Sequence, residues 1–149
     1  MNLAELLDSN DLDVLDHLER EITVPVLDGP QAQGDLIVLP HAMVPVVTTS
    51  PWTSWQWVPP GGVELVRGVA GNNPHTLVAD PWTCEWTAGF RDPLGLGVAL
   101  FRNTAPAYFI HPEHGGSGVA PGQWLVRRQQ EAGVLRRPGF GGGRTLVAD

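Results

Sequence analysis

Leucines recur at three-to-four spacing through the first part of the chain: Leu3, Leu6 and Leu7, then Leu12, Leu15 and Leu18, with Ile22. That period is the apolar stripe of an amphipathic helix, and it predicts a helical arm over 1–21. Ser9 or Asn10 is placed to cap a second piece, and Asp11 and Asp13 fall in its first turn, where the helix dipole favours anions. Asp16, Glu19 and Glu21 occupy the opposite face. A one-sided stripe must bury against something, either the body of its own domain or a partner. Leu3 and Leu7 are its candidate partner contacts.

After Glu21 the period changes. Short β-branched and apolar runs alternate with turn residues, which predicts strands at 22–27, 35–39, 63–67, 75–79, 97–102, 106–111, 122–130 and 144–148. Gly71-Asn72-Asn73-Pro74 is expected to turn the third strand into the fourth, and Asn103-Thr104-Ala105 to make a short hairpin between the fifth and sixth. No helical pattern separates these runs, so parallel crossovers are not expected. The prediction is an all-β domain over 22–149, a mostly antiparallel small barrel or sandwich, with the helical arm in front of it. Pro25 places the first strand at an edge. Residues 40–60, rich in Pro, Thr and Trp, are expected to form a long ordered loop packed by its own aromatics, and 132–143 an excursion before the last strand.

Composition narrows the chemistry. A chain of 149 residues is one ordinary domain, able to bury a core without staples. All nine basic residues are arginine. The lack of lysine excludes Schiff bases, Ser–Lys dyads and a lysine on a bound phosphate, and points to a high-GC bacterial source. The net charge is −7, unevenly placed: 1–35 carry −8, 36–122 carry −2 and 123–149 carry +3. The ends attract, so the acidic arm is expected near the basic tail of its own chain or of a neighbour in an oligomer. Overall acidity disfavours nucleic acid. The single Cys84 forbids an intramolecular disulfide and a multi-cysteine zinc site. Residues 1–21 show no secretory signal, and the apolar runs are far below a membrane span, so a soluble, cytoplasmic protein is expected.

Two clusters carry candidate chemistry. His111-Pro112-Glu113-His114 brings three N or O donors into one turn, and His75 joins them if its strand neighbours 106–111. Together these are a candidate set for a divalent metal; the alternative is a turn whose imidazoles bond backbone. The second cluster is Trp52, Trp55, Trp57, Trp82 and Trp86. Trp55 and Trp57 face the same way if the chain is extended there. Exposed, these indoles make a platform for a sugar, a proline-rich peptide or another subunit; buried, they pin long loops to the domain.

Imitations of known motifs fail. The glycines before Arg144 lack the P-loop lysine, and Gly116-Ser117-Gly118 is followed by Val119 where a nucleophile elbow needs glycine. Cys84 sits beside Glu85, whose charge blunts a thiolate, and is expected as an apolar filler.

Ile110-His111-Pro112-Glu113-His114-Gly115, then Pro121-Gly122-Gln123-Trp124-Leu125-Val126-Arg127-Arg128-Gln129-Gln130-Glu131 and the closing Val147-Ala148-Asp149, resemble a group of small uncharacterised bacterial proteins. These carry a His-Pro-Glu-His-Gly turn followed by a Pro-Gly-x-aromatic-x-Val-x-Arg-Gln-x-Glu strand. The resemblance covers about a sixth of the chain. It implies a single β domain ending at the final Asp, and lends no catalytic residue. Gly34-Asp35-Leu36-Ile37-Val38-Leu39 is also similar to a strand of LexA-like peptidases, whose chemistry needs the lysine this chain lacks.

Two functional expectations stand. One is a non-enzymatic protein-interaction or structural module, an accessory subunit of a larger bacterial or phage assembly, which self-associates or binds a protein partner through the arm and the Trp loop and needs no cofactor. The other is a metal-dependent binding protein or enzyme using His111, Glu113 and His114, with His75.

Overall fold

The computed structural model describes residues 1–10, 24–66 and 74–129. Its helix α1 (Leu3–Asn10) is followed by strands β1 (Val26–Leu27), β2 (Gln31–Gln33) and β3 (Leu36–Pro40). A short 3-10 turn at His41–Met43 opens the long loop to β4 (Gln56–Trp57). Then come β5 (Val63–Val66), β6 (His75–Ala79), β7 (Cys84–Thr87), β8 (Gly97–Asn103), β9 (Ala107–His111), β10 (Gly115–Val119) and β11 (Gly122–Arg128). The expected second piece of the arm, the Gly71–Asn73 turn, the 132–143 excursion, the 144–148 strand and the closing Val147-Ala148-Asp149 lie outside the described residues.

Strand alternation sorts these segments into two sheets. One has the order β1-β10-β9-β6-β5, the other β2-β3-β11-β8-β7-β4. Only the β1–β10 pair is parallel among the described pairs. The sheets face each other as a sandwich, not as a closed barrel. Their inner faces share one core, built from Leu36, Val38, Phe101, Trp124 and Val126 on one side and Leu77, Phe109 and Val119 on the other. Phe101 meets Phe109 edge-to-face across the sheets, at 5.7 Å between ring centroids.

Each outer face has its own cover. Leu3, Leu6 and Leu7 of α1 bury on Val78 and Ile110 of the five-stranded sheet and on Val24, just before β1. The described part of the arm's stripe therefore packs on its own domain, and Leu3 and Leu7, expected as partner contacts, are buried there. The helix starts with a reciprocal cap. Asn2 Oδ1 accepts the Glu5 N–H at 2.9 Å, and Glu5 Oε2 accepts the Asn2 N–H at 3.2 Å. On the other sheet, the 40–60 loop folds back so that Val47, with Val44 and Trp55, covers Leu100 and Leu125. A bridge between Thr48 and Arg91 closes that flap.

The expected hairpin at Asn103–Ala105 does not form. β8 and β9 belong to different sheets, and the chain crosses between them there. Asn103 explains the corner: its Nδ2 donates to the carbonyls of Ala105, Val119 and Ala120, fixing the crossing against the end of β10. Pro25 does precede an edge strand, as expected, since β1 ends the five-stranded order. β1 approaches β10 at Gly118, where a Cβ would lie 2.8 Å from the Pro25 carbonyl, so only glycine fits.

At the β2 edge, side chains join the two sheets. Gln31 Nε2 donates to Gly118 O at 2.9 Å, and Gln33 Nε2 donates to Phe109 O and Gly115 O. These amides do between sheets what a barrel's closing ladder does between strands. Among the described residues, no helix is long and apolar enough to cross a membrane.

Candidate functional site

The histidine cluster is real as a cluster. β6 pairs with β9, which sets His75 beside His111 with ring centroids 4.5 Å apart. The β9–β10 turn then stacks His114 on His111 at 4.4 Å. His75 and His111 are fully buried, while Glu113 and His114 are exposed.

Three ring nitrogens, both of His75 and Nδ1 of His111, make hydrogen-bond contacts within the fold. Gln33 uses its N–H groups on two carbonyls, so its Oε1 faces His75 Nδ1 at 3.0 Å. That polarity makes His75 Nδ1 a donor. The other nitrogen, Nε2, lies 3.0 Å from Asp35 Oδ1. His111 Nδ1 accepts the backbone N–H groups of Glu113 and His114 at 3.0 and 3.3 Å, which holds the Pro112 turn closed. Among the described residues, no three His, Cys, Asp or Glu side chains converge to hold a metal. Of the expected set, His75 and His111 form a buried polar pair that ties β2, β6 and β9 together, while Glu113 and His114 lie at the surface beside it. Gln33 and Asp35, which engage His75, carried no sequence signal, because a polar run before an apolar strand looks like a solvated turn.

The tryptophans divide by environment. Trp86 and Trp55 turn inward: Trp86 packs on the main core and Trp55 on the loop's own small core. Trp55 also lies over Arg102, whose guanidinium carbon is 4.0 Å from the ring centre, and Arg102 pairs with Glu85 at 3.0 Å. Trp52, Trp57 and Trp82 face solvent, at 90%, 47% and 73% exposure. Trp57 and Trp82 meet at 81°, with centroids 5.5 Å apart, and form a right-angled aromatic corner.

Local sequence builds that corner. β4 is the outer strand of its sheet and pairs Trp57 with Glu85. Asp80-Pro81-Trp82-Thr83 makes the turn from β6 into β7, closed by the Thr83 N–H on Asp80 O. Pro81 suits its second position, while the third, at a φ of 62°, suits glycine. The chain places Trp82 there, the one non-glycine residue of positive φ among the described residues. Beside the corner, two hollows of ≈ 150 Å³ and ≈ 70 Å³ share Ser9, Asn10, Ala79 and Asp80. They form one groove over the rim of the sandwich, from Val58, Pro60 and Pro81 to Pro106 and Tyr108. Partial burial, and then the Asp80 charge, hold the Tyr108 phenol above its ordinary value, so it stays an O–H donor.

Cys84 is an inert filler, as expected. Burial first and the Glu85 charge second push its thiol up to about 12.

Fold and site define a two-sheet antiparallel sandwich with a sealed polar stack and an exposed aromatic rim. The chain belongs to the family described as a domain of unknown function, DUF8820, whose model matches residues 32–129. Neither the comparison with curated proteins nor that with solved structures finds a match.

Proposed function

We propose that this chain is a non-enzymatic protein-interaction module, an accessory subunit of a larger assembly, that docks its partner on Trp52, Trp57 and Trp82. Trp82 carries the proposal. A left-handed backbone costs a non-glycine residue roughly 1–2 kcal/mol. Burial of the indole does not offset that cost, since Trp82 is 73% exposed. Strain held at a solvent-facing aromatic is what a docking anchor needs: large rigid area with one N–H donor, presented before the partner arrives. Two observations support the non-catalytic half. The thiol of Cys84 is buried and held neutral, and the imidazoles of His75 and His111 are engaged inside the fold.

Size-exclusion chromatography with light scattering tests the proposal on protein purified from its native host. The wild-type chain is expected in a complex of defined mass, and the Trp57→Ala/Trp82→Gly variant as a folded monomer. A wild-type monomer, or the same mass for both proteins, overturns it.

A further inference from the structure

We infer that the groove from the Trp57–Trp82 corner across Asp80 to Tyr108 binds an extended, proline-rich segment carrying a basic residue. The inference rests on the docking reading of Trp57 and Trp82 and names the chemistry of the partner. Three features of the groove select it.

The first is the corner. Two indoles at 81° offer a face and an edge to one thick, rigid ring. A pyrrolidine ring fills such an angle, as in the aromatic grooves that recognise polyproline II helices. A sugar instead stacks flat on a coplanar floor, which perpendicular rings do not provide.

The second is charge. Asp80 is exposed, lies in both hollows, and is the one charged side chain among the described residues lining them. The nearby Arg102 is occupied by Glu85 and by the face of Trp55. Met1 lines the smaller hollow only, so at the end toward the corner the Asp80 carboxylate complements a guanidinium or ammonium on the ligand.

The third is the donor supply. A polyproline II segment has no internal hydrogen bonds and leaves its carbonyls open. The Tyr108 O–H and the second N–H of the Asn10 amide, whose first is donated to Leu6 O at 2.9 Å, stand along the groove to meet them. Pro60 and Pro81 in its wall have fixed backbone angles, so little ordering is left to do on binding.

Calorimetric titration of the full chain uses a short all-proline peptide with one central arginine, the same peptide with glutamate in its place, and a cello-oligosaccharide. Saturable binding of the arginine peptide below about 1 mM is expected, with a weaker glutamate peptide. Trp57→Ala is expected to weaken binding at least about tenfold. Asp80→Asn, an exposed change that leaves folding intact, is expected to remove most of the preference for arginine over glutamate. No binding of the arginine peptide to wild type, or equal affinity for both peptides, overturns the inference. Binding of the oligosaccharide at the same indoles overturns both this and the docking proposal. A complex that depends on Trp57 and Trp82 in light scattering, without peptide binding, removes this inference and leaves docking in place.

Discussion

His75 Nε2 lies 3.0 Å from Asp35 Oδ1 with both residues sealed from solvent, and the opposite ring nitrogen faces Gln33 Oε1 at the same distance. Because Gln33 presents only an acceptor, His75 must donate from Nδ1. His75 thus bridges Gln33 and Asp35 in a dry interior, where a ring nitrogen that loses its partner is costly.

That arrangement makes Asp35 costly to remove. Asp35→Ala leaves a buried nitrogen without its partner and is expected to lower the unfolding free energy by about 3 kcal/mol or more. Asp35→Asn, whose amide donates to a neutral ring, is expected to cost less than half as much. Urea unfolding of the two variants checks the order.

A second polar tie lies at the C-terminal end of β11, near the first. Arg127 Nε and the Nη2 atom meet Asp92 Oδ2 and Oδ1 at 3.0 and 2.8 Å, and Asp92 Oδ1 also takes the Leu94 N–H. The pair is largely shielded, at 11% and 4% side-chain exposure. Asp92→Ala is expected to cost about 3 kcal/mol, and Arg127→Lys, which loses the fork but keeps the charge, roughly 1 kcal/mol. Chemical denaturation at low and high salt measures both, with little salt dependence expected for a shielded pair.

Backbone strain at Trp82 is separable from its side chain. Trp82→Gly and Trp82→Ala both delete the indole and its contact with Trp57, but only alanine keeps a Cβ at a φ of 62°. The glycine variant is expected to be about 1 kcal/mol more stable than the alanine variant. Equal thermal midpoints would show that the turn is unstrained.

Cys84 gives a pH signature. Its thiol is raised from 9.0 to about 12 in the folded chain, so the native state keeps a proton that the unfolded chain gives up. Its stabilising contribution is fully present below 9 and is lost as pH rises toward about 12. The slope is on the order of 1 kcal/mol per pH unit, and Cys84→Ala is expected to remove it. At pH 8 the native thiol should not react with a disulfide reagent, whereas denatured protein should react fully.

Much of this fold was legible because its strands are short apolar and β-branched runs set between turn residues. Leu36–Pro40, His75–Ala79 and Ala107–His111 lie at or within one residue of their predicted positions, and Gly122–Arg128 ends two residues short of its own. What was hidden had no such run to show. β10 is Gly-Gly-Ser-Gly-Val, and its glycines are dictated by close neighbours: Leu3 lies 3.3 Å from a Cβ at Gly116, and Pro25 O crowds Gly118. β4 and β7 sit among tryptophans that resemble loop. The aromatic cluster was visible as a cluster, but its division into inward Trp55 and Trp86 and outward Trp52, Trp57 and Trp82 was not. That division depends on Leu100 and Leu125 requiring a cover, a property of sheet order that local spacing does not contain. The imidazoles were grouped correctly, yet Gln33 and Asp35, which engage His75, lie 42 and 40 residues away.

β11 stands between β3 and β8, so the six-stranded sheet is two separate halves until residues 122–128 arrive. Its registry with β3 joins Trp124 to Pro40, one of the longest loops the described chain must close. Loop closure of that span precedes its reward in contacts, which makes acquisition of the native state slow, on the order of milliseconds to seconds. On the ribosome the nascent domain waits for its last described strand, with Leu125 and Trp124 acting as the key that locks two wings.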